Sequence, residues 1–306
     1  MSKLTSLQHL GVAFESTYGT GVAPVFYIPL NSAKPQDDVK KIQDTSKRAS
    51  IAKVYAIYDG VTSSTFDLDL DLYPDAIGYL LKGIMGQDTV TGTSPNYTHT
   101  FAQVNALAPS MTLQYYNGIA EHQFAGSIMS ELDLKFESES ICTASAKFLG
   151  RKSAVVATTT PSYSGVAPFT GWGATLTING TSNANIVGGE VNIKRDAKLL
   201  WTCVNSQVPQ KQNTGTYEIS GKLTFDVEDE TELGYLGNGS FLSLVLTFIY
   251  NANTSLQITM SQVDVDKATV DTSQEFVRVD LDYTAIYNST NAGLAQFVLK
   301  NQVASY

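Results

Sequence analysis

Polar and apolar residues alternate strictly over Phe66-Asp67-Leu68-Asp69-Leu70-Asp71-Leu72. Strand side chains point alternately to opposite faces, so this stretch predicts a strand with Phe66, Leu68, Leu70 and Leu72 on one side and Asp67, Asp69 and Asp71 on the other. From Tyr73-Pro74-Asp75 the period becomes helical, with Ile77, Leu80, Leu81 and Ile84 at i, i+3, i+4, i+7. Pro74 at the first helical position marks a start and Gly86 an end. The two-sided pattern returns at Ile128 to Glu137, where Leu132, Leu134 and Phe136 oppose Glu131, Asp133, Lys135 and Glu137. It returns again at Tyr217 to Glu228, with Ile219, Leu223 and Phe225 opposing Glu218, Lys222, Asp226 and Glu228. Further strands are predicted at Gly11–Glu15, Met111–Tyr116, Ile141–Leu149, Ala174–Ile178, Glu190–Lys194, Leu244–Phe248, Leu256–Met260 and Val277–Tyr283. Asn117-Gly118 is a hairpin signal, and Pro24 and Pro29 place Val25–Ile28 near a sheet edge.

The order strand, short helix, strand, hairpin, strand is used twice, with Leu233-Gly234-Tyr235-Leu236 after Asp229-Glu230 echoing Ile77-Gly78-Tyr79-Leu80. The predicted organisation is mainly β: two tandem β-sandwich or barrel modules with short flanking helices. The first covers 1–152, a linker rich in Thr, Ser, Gly and Pro covers 153–170, and the second covers 171–306. Residues 31–53 interrupt the first module with Lys34, Lys40, Lys41, Lys47, Arg48 and Lys53 against Asp37, Asp38 and Asp44. This stretch reads as a long charged surface loop, a candidate arm for docking on another copy of the chain.

Charge narrows the function. The 306 residues carry a formal net charge of −9, the wrong sign for gripping a phosphate backbone. An acidic surface can still face DNA where the need is to avoid sticking to it. The N-terminus lacks an apolar signal core and no apolar run reaches bilayer length, so no membrane insertion is expected. Cys142 and Cys203 lie in strand-like runs and read as buried free thiols. His9, His99 and His122 have no partners at metal-ligand spacing, and no nucleophile elbow, phosphate loop or dinucleotide fingerprint is present. Same-face strand residues stand about 7 Å apart, too wide for Asp67, Asp69 and Asp71 alone to chelate one ion. No catalytic residue, cofactor or metal is expected. The acidic rows instead suggest one sheet with its core on one face and an acidic surface on the other, and edges that need partners.

Leu10-Gly11-Val12-Ala13-Phe14-Glu15-Ser16-Thr17-Tyr18-Gly19-Thr20, Tyr27-Ile28-Pro29-Leu30, the Tyr58-Asp59-Gly60 turn and the Tyr73-Pro74 to Met85-Gly86 stretch resemble the tail tube proteins of long-tailed bacteriophages. In the second half, Tyr217-Glu218-Ile219-Ser220-Gly221-Lys222-Leu223-Thr224-Phe225 followed by Asp229-Glu230 is similar to the family's corresponding strand and turn. The resemblance implies modules whose strands pair between subunits into a closed β-barrel ring. Rings then stack into a hollow conduit for DNA from capsid to host cell. Family members with fused double modules form trimers with pseudo-six-fold symmetry, which the repeat here favours. On this reading Asp67, Asp69, Asp71, Asp226 and Glu228 line the lumen, and Lys34, Lys40, Lys41, Lys47 and Arg48 belong to a ring-stacking loop. Implied partners are further copies of the chain, the tape measure, tail terminator and distal tail proteins, and duplex DNA in transit. The place of action is the virion tail, assembled in the host cytoplasm. Two rivals are the inner tube of a contractile injection system and a β-sandwich adhesin or carbohydrate-binding protein.

Overall fold

The computed structural model describes residues 4–227, 229–236, 240–272, 276–289 and 293–306. The alternating stretches become strands. In chain order they begin with β1 (His9–Phe14), β2 (Phe26–Ile28), β3 (Ser32–Asp44) and β4 (Ala56–Asp71), followed by helix α1 (Ile77–Met85). Next come β5 (Gly86–Thr93), β6 (Asn96–Gln103), β7 (Met111–Tyr116), β8 (Glu121–Glu137), β9 (Thr143–Gly150) and β10 (Ala154–Val156). The remainder holds β11 (Ala174–Ile178), β12 (Thr181–Asn183), β13 (Ile186–Leu200) and β14 (Lys211–Asp226). It ends with β15 (Leu242–Asn251), β16 (Thr254–Asp271), β17 (Arg278–Ala285) and β18 (Gln296–Asn301).

All pairings are antiparallel and link the strands into one network. Its backbone is the run β3-β4-β9-β8-β13-β14-β17-β16. Two long strands leave this run part-way along. The N-terminal half of β8 pairs with β7 and β10, and β7 carries β1 and then β2. The N-terminal half of β16 pairs with β15 and β18; β15 leads to β11 and β12, and β18 to β6 and β5. Each long strand shifts register where it changes layer, between Met129 and Glu131 in β8 and between Val265 and Lys267 in β16. Such bulges bend a strand and let it serve two layers.

The apolar faces close on each other. Phe66, Leu68 and Leu70 of β4, Leu132 and Leu134 of β8, Val191 and Ile193 of β13 and Val279 and Leu281 of β17 are all buried. Phe66 meets Tyr115, Phe124 and Phe148 edge-on, and Phe136 meets Phe248. Helix α1 is buried at every position but Lys82, which makes it a core element. Gly86 ends it in the left-handed region, φ 94°, as its position predicts. Gly78 lets the Tyr306 ring lie against the helix, since a Cβ there would stand 2.0 Å from that ring. Among the described residues no helix is long and apolar enough to cross a membrane.

Several expectations are corrected. The sheet is not closed into a barrel within the chain: among the described residues β3 pairs with β4 alone, and the C-terminal half of β16 with β17 alone. The charged stretch 31–53 is not one loop. Most of it is β3, whose edge position exposes both faces and removes the apolar alternation that marks a strand, leaving only 45–55 as a tip. Among the described residues the second helix is a single 3-10 turn, Leu233–Tyr235, with Gly234 inside it and Leu236 already extended. Helix α1 starts at Ile77, not Pro74, because a turn on Tyr73 O comes first. Cys142 is buried, but Cys203 is exposed in the loop after β13, whose pairing with β14 stops at Leu200–Lys211.

Candidate functional site

The polar side of the eight-strand run is a charged lattice whose order comes from register. One row reads Lys34, Asp67, Lys147, Glu131, Lys194, Glu218, each residue opposite the next on successive strands. Another reads Asp71, Thr143, Lys135, Glu190, Lys222, Asp282, Lys267. Between them runs an uncharged or acidic row, Ser32, Asp69, Ser145, Asp133, Asn192, Ser220. Opposite charges facing across a ladder attract, each pair contributing about 0.2–1 kcal/mol.

The geometry bears this out. Two facing pairs are in contact, Lys147 Nζ 2.7 Å from Glu131 and Lys135 Nζ 3.2 Å from Glu190, while Lys222 Nζ reaches diagonally to Asp280 at 2.7 Å. Partial burial alone would raise the pKa of Glu131, but hydrogen bonds from Lys147 and Asn192 and the charges of Lys147 and Lys194 hold it below the ordinary carboxylate value. Its hydrogen bond to Glu131 raises Lys147, and that to Asp280 raises Lys222. Lys147, Lys135 and Lys222 are thus each held by a carboxylate.

The structure brings Asp67, Asp69 and Asp71 onto this face through β4, and Asp226 through β14. Ser32 Oγ donates to Asp69 at 2.7 Å, and Asn31 Nδ2 donates to Asp71 at 2.7 Å. Glu228 lies outside the described residues. The cations of 31–53 are dispersed. Lys34, Lys40 and Lys41 are exposed on β3, with Lys41 paired to Asp59 of β4. Lys47 and Arg48 sit in the tip, where Arg48 pairs with Asp44 and stacks on Tyr55 at 4.9 Å.

Beyond Ser64, where pairing with β9 ends, β3 and the start of β4 project as a two-stranded arm. Ile42, Ile51, Ile57 and Tyr58 are exposed along it. The loop 201–210 between β13 and β14 lies across this arm near its base. Trp201 Nε1 donates to Thr62 O at 3.2 Å, Thr62 N to Gln207 O at 2.8 Å, and Gln207 Nε2 to Asp59 O at 2.9 Å.

Three polar groups that hold this frame escaped the sequence reading. Buried Arg195 of β13 donates to Ile84 O and Ala106 O and stacks on Tyr217, whose hydroxyl donates to Ile84 O and Met85 O. Together they satisfy the C-terminal carbonyls of α1. Glu15 accepts hydrogen bonds from Gly19 N, Gly126 N, Ser110 Oγ and Thr112 Oγ1, tying the N-terminal loop to β7 and β8. Glu121 accepts from Gln114 and from Thr159 of the segment before β11. No periodic pattern marks such residues, since their partners are remote in sequence. Each histidine has a polar neighbour: His9 lies 3.7 Å from Glu121, His99 3.0 Å from Asp88, and His122 3.4 Å from Ser153. Among the described residues no group of three or more His, Cys, Asp or Glu is placed to hold a metal ion.

Comparison with family models matches the phage tail tube proteins over residues 5–285. Among curated proteins nothing matches.

Proposed function

The chain belongs to the phage tail tube protein family and has that family's structural role in the virion tail; from this premise we propose that its copies close into rings, which stack into a hollow conduit for DNA. The observation that carries the proposal is the eight-strand run, with one apolar face, one solvated face and an end strand on each side that, among the described residues, pairs along one edge only. Open edges are a liability in a lone subunit and an asset in one that pairs with copies of itself. Ring closure removes them.

We read the chain as two copies of one module. The order β3-β4-β9-β8 is matched by β13-β14-β17-β16, and β1-β7-β8-β10 by β11-β15-β16-β18. Bulges fall at corresponding places: Val39/Lys41 with Arg195/Ala197, Met111/Leu113 with Leu242/Leu244, and Met129/Glu131 with Val265/Lys267. A ring of three such chains has six modules. The solvated face, carrying Asp67, Asp69, Asp71 and Asp226, lines the lumen. Its lysines alternate with carboxylates, so it offers passing phosphates no cluster of free positive charge. The arm with Lys47 and Arg48 at its tip contacts other copies, and the tube ends meet other tail proteins.

Electron microscopy of the purified chain tests this. Rings or tubes with three subunits are expected. Six subunits per ring would refute the double-module trimer, and dispersed monomers at high concentration would refute self-assembly.

A further inference from the structure

The junction between the two halves is a template for the junction between chains. Inside the chain, β8 meets β13 in the register Glu131↔Lys194, Asp133↔Asn192, Lys135↔Glu190. The bulges set the correspondence between halves. Met129/Glu131 on Phe148/Lys147 matches Val265/Lys267 on Tyr283/Asp282, so Glu131, Asp133 and Lys135 correspond to Lys267, Thr269 and Asp271. Val39/Lys41 on Thr62/Asp59 matches Arg195/Ala197 on Tyr217/Thr214, so Lys194, Asn192 and Glu190 correspond to Asp38, Gln36 and Lys34.

Resting on the ring reading above, we propose that β3 of one chain pairs antiparallel with the C-terminal half of β16 of a second copy, in the register Asp38↔Lys267, Gln36↔Thr269, Lys34↔Asp271. The charges support this register independently. Each internal pair of opposite sign, Glu131 with Lys194 and Lys135 with Glu190, becomes a pair of opposite sign with its polarity reversed. A slip by one residue would move these side chains to the other face. Burial points the same way: Leu134 under β13 is fully buried, whereas its counterpart Val270 at the open edge is 45% exposed.

The arm follows from the same correspondence. Loop 201–210 lies on Asp59 and Thr62 of the first half. The matching tip, 45–55, reaches Thr214 and Tyr217 of the second copy. There a groove of about 690 Å³ opens, lined by Val104, Leu107, Thr214, Tyr217, Tyr287 and Leu294. Leu107 and Tyr287 in it are exposed, as is Ile51 at the tip. The occupant is the neighbour's tip, which makes residues 31–55 a contact within a ring and not between rings.

Paired cysteines test the register in assembled tubes, in a Cys203→Ser background that removes the exposed native thiol. Gln36→Cys with Thr269→Cys should cross-link chains into dimers and closed trimers on a non-reducing gel. Asp133→Cys with Asn192→Cys, the internal counterpart, should cross-link within one chain. Asp38→Lys and Lys267→Glu should each cut ring yield several-fold, and the double variant should restore it to within about twofold. Tubes that form without the Gln36–Thr269 cross-link, or that cross-link better when Lys267→Cys or Asp271→Cys replaces Thr269→Cys, would overturn the register and leave the tube reading standing. If the unaltered chain forms no rings at all, the tube reading falls and the register with it.

Discussion

Glu131 shows how a single side chain on the solvated face depends on its neighbours. It sits opposite Lys147 on one strand and Lys194 on the other, and these neighbours hold its pKa below the ordinary value. A carboxylate depressed in the folded state contributes stability that is complete above its unfolded pKa, about 4.3, and is lost as pH falls through the lower folded value. Lys147 has the opposite sign: raised when folded, it contributes below about pH 10.4 and loses that contribution as pH rises through its folded value. Glu131→Gln should therefore lower stability at pH 7 by about 0.5–1 kcal/mol. Urea midpoints of variant and parent should draw together as pH falls below the ordinary glutamate value of about 4.3. A constant gap from pH 7 to pH 3 would mean that lost packing, and not charge, sets the cost. The alternation that placed Glu131 on the polar face was legible in the sequence. Its partners were not, because Lys194 becomes a neighbour only through a register between strands about sixty residues apart.

At the scale of elements, legibility followed burial. β4, β8 and α1 each bury one face or nearly all of themselves, and their periodicity announced them. β3 buries little, carries Pro35 and alternates no apolar residues, so it read as a loop. The end of α1 illustrates a second blind spot. Gly86 was visible as a terminator, yet the last carbonyls are satisfied by Arg195 and Tyr217 from the other half of the chain. Burial pushes the Tyr217 hydroxyl up to about 12, so it stays a donor at neutral pH. Arg195→Met keeps an apolar stem but removes the donors to Ile84 O and Ala106 O. Hydrogen bonds from charged groups are each worth about 1.5–3 kcal/mol, so a loss of about 2–3 kcal/mol in urea unfolding is expected. A loss under about 0.5 kcal/mol would assign the helix end to Tyr217 alone.

In the proposed ring, the solvated face of the whole molecule faces the lumen. Lysine substitutions can separate folding from transport, because β4 carries three aspartates in unlike surroundings. Asp67 lies between Lys34 and Lys147, so Asp67→Lys sets three cations side by side and should impair folding or assembly. Asp69 lies between Ser32 and Ser145, so Asp69→Lys sets no cation directly opposite another and should assemble far better than Asp67→Lys. If the face lines the lumen, that one change places a ring of new positive charges along the path of the phosphates. DNA release from phage carrying it should then slow, and slow less at higher salt, because phosphate contacts weaken as counterions compete. Normal tubes with unchanged release kinetics at low and high salt would move the face away from the lumen. Poor tubes from Asp69→Lys would instead make this row a contact between subunits.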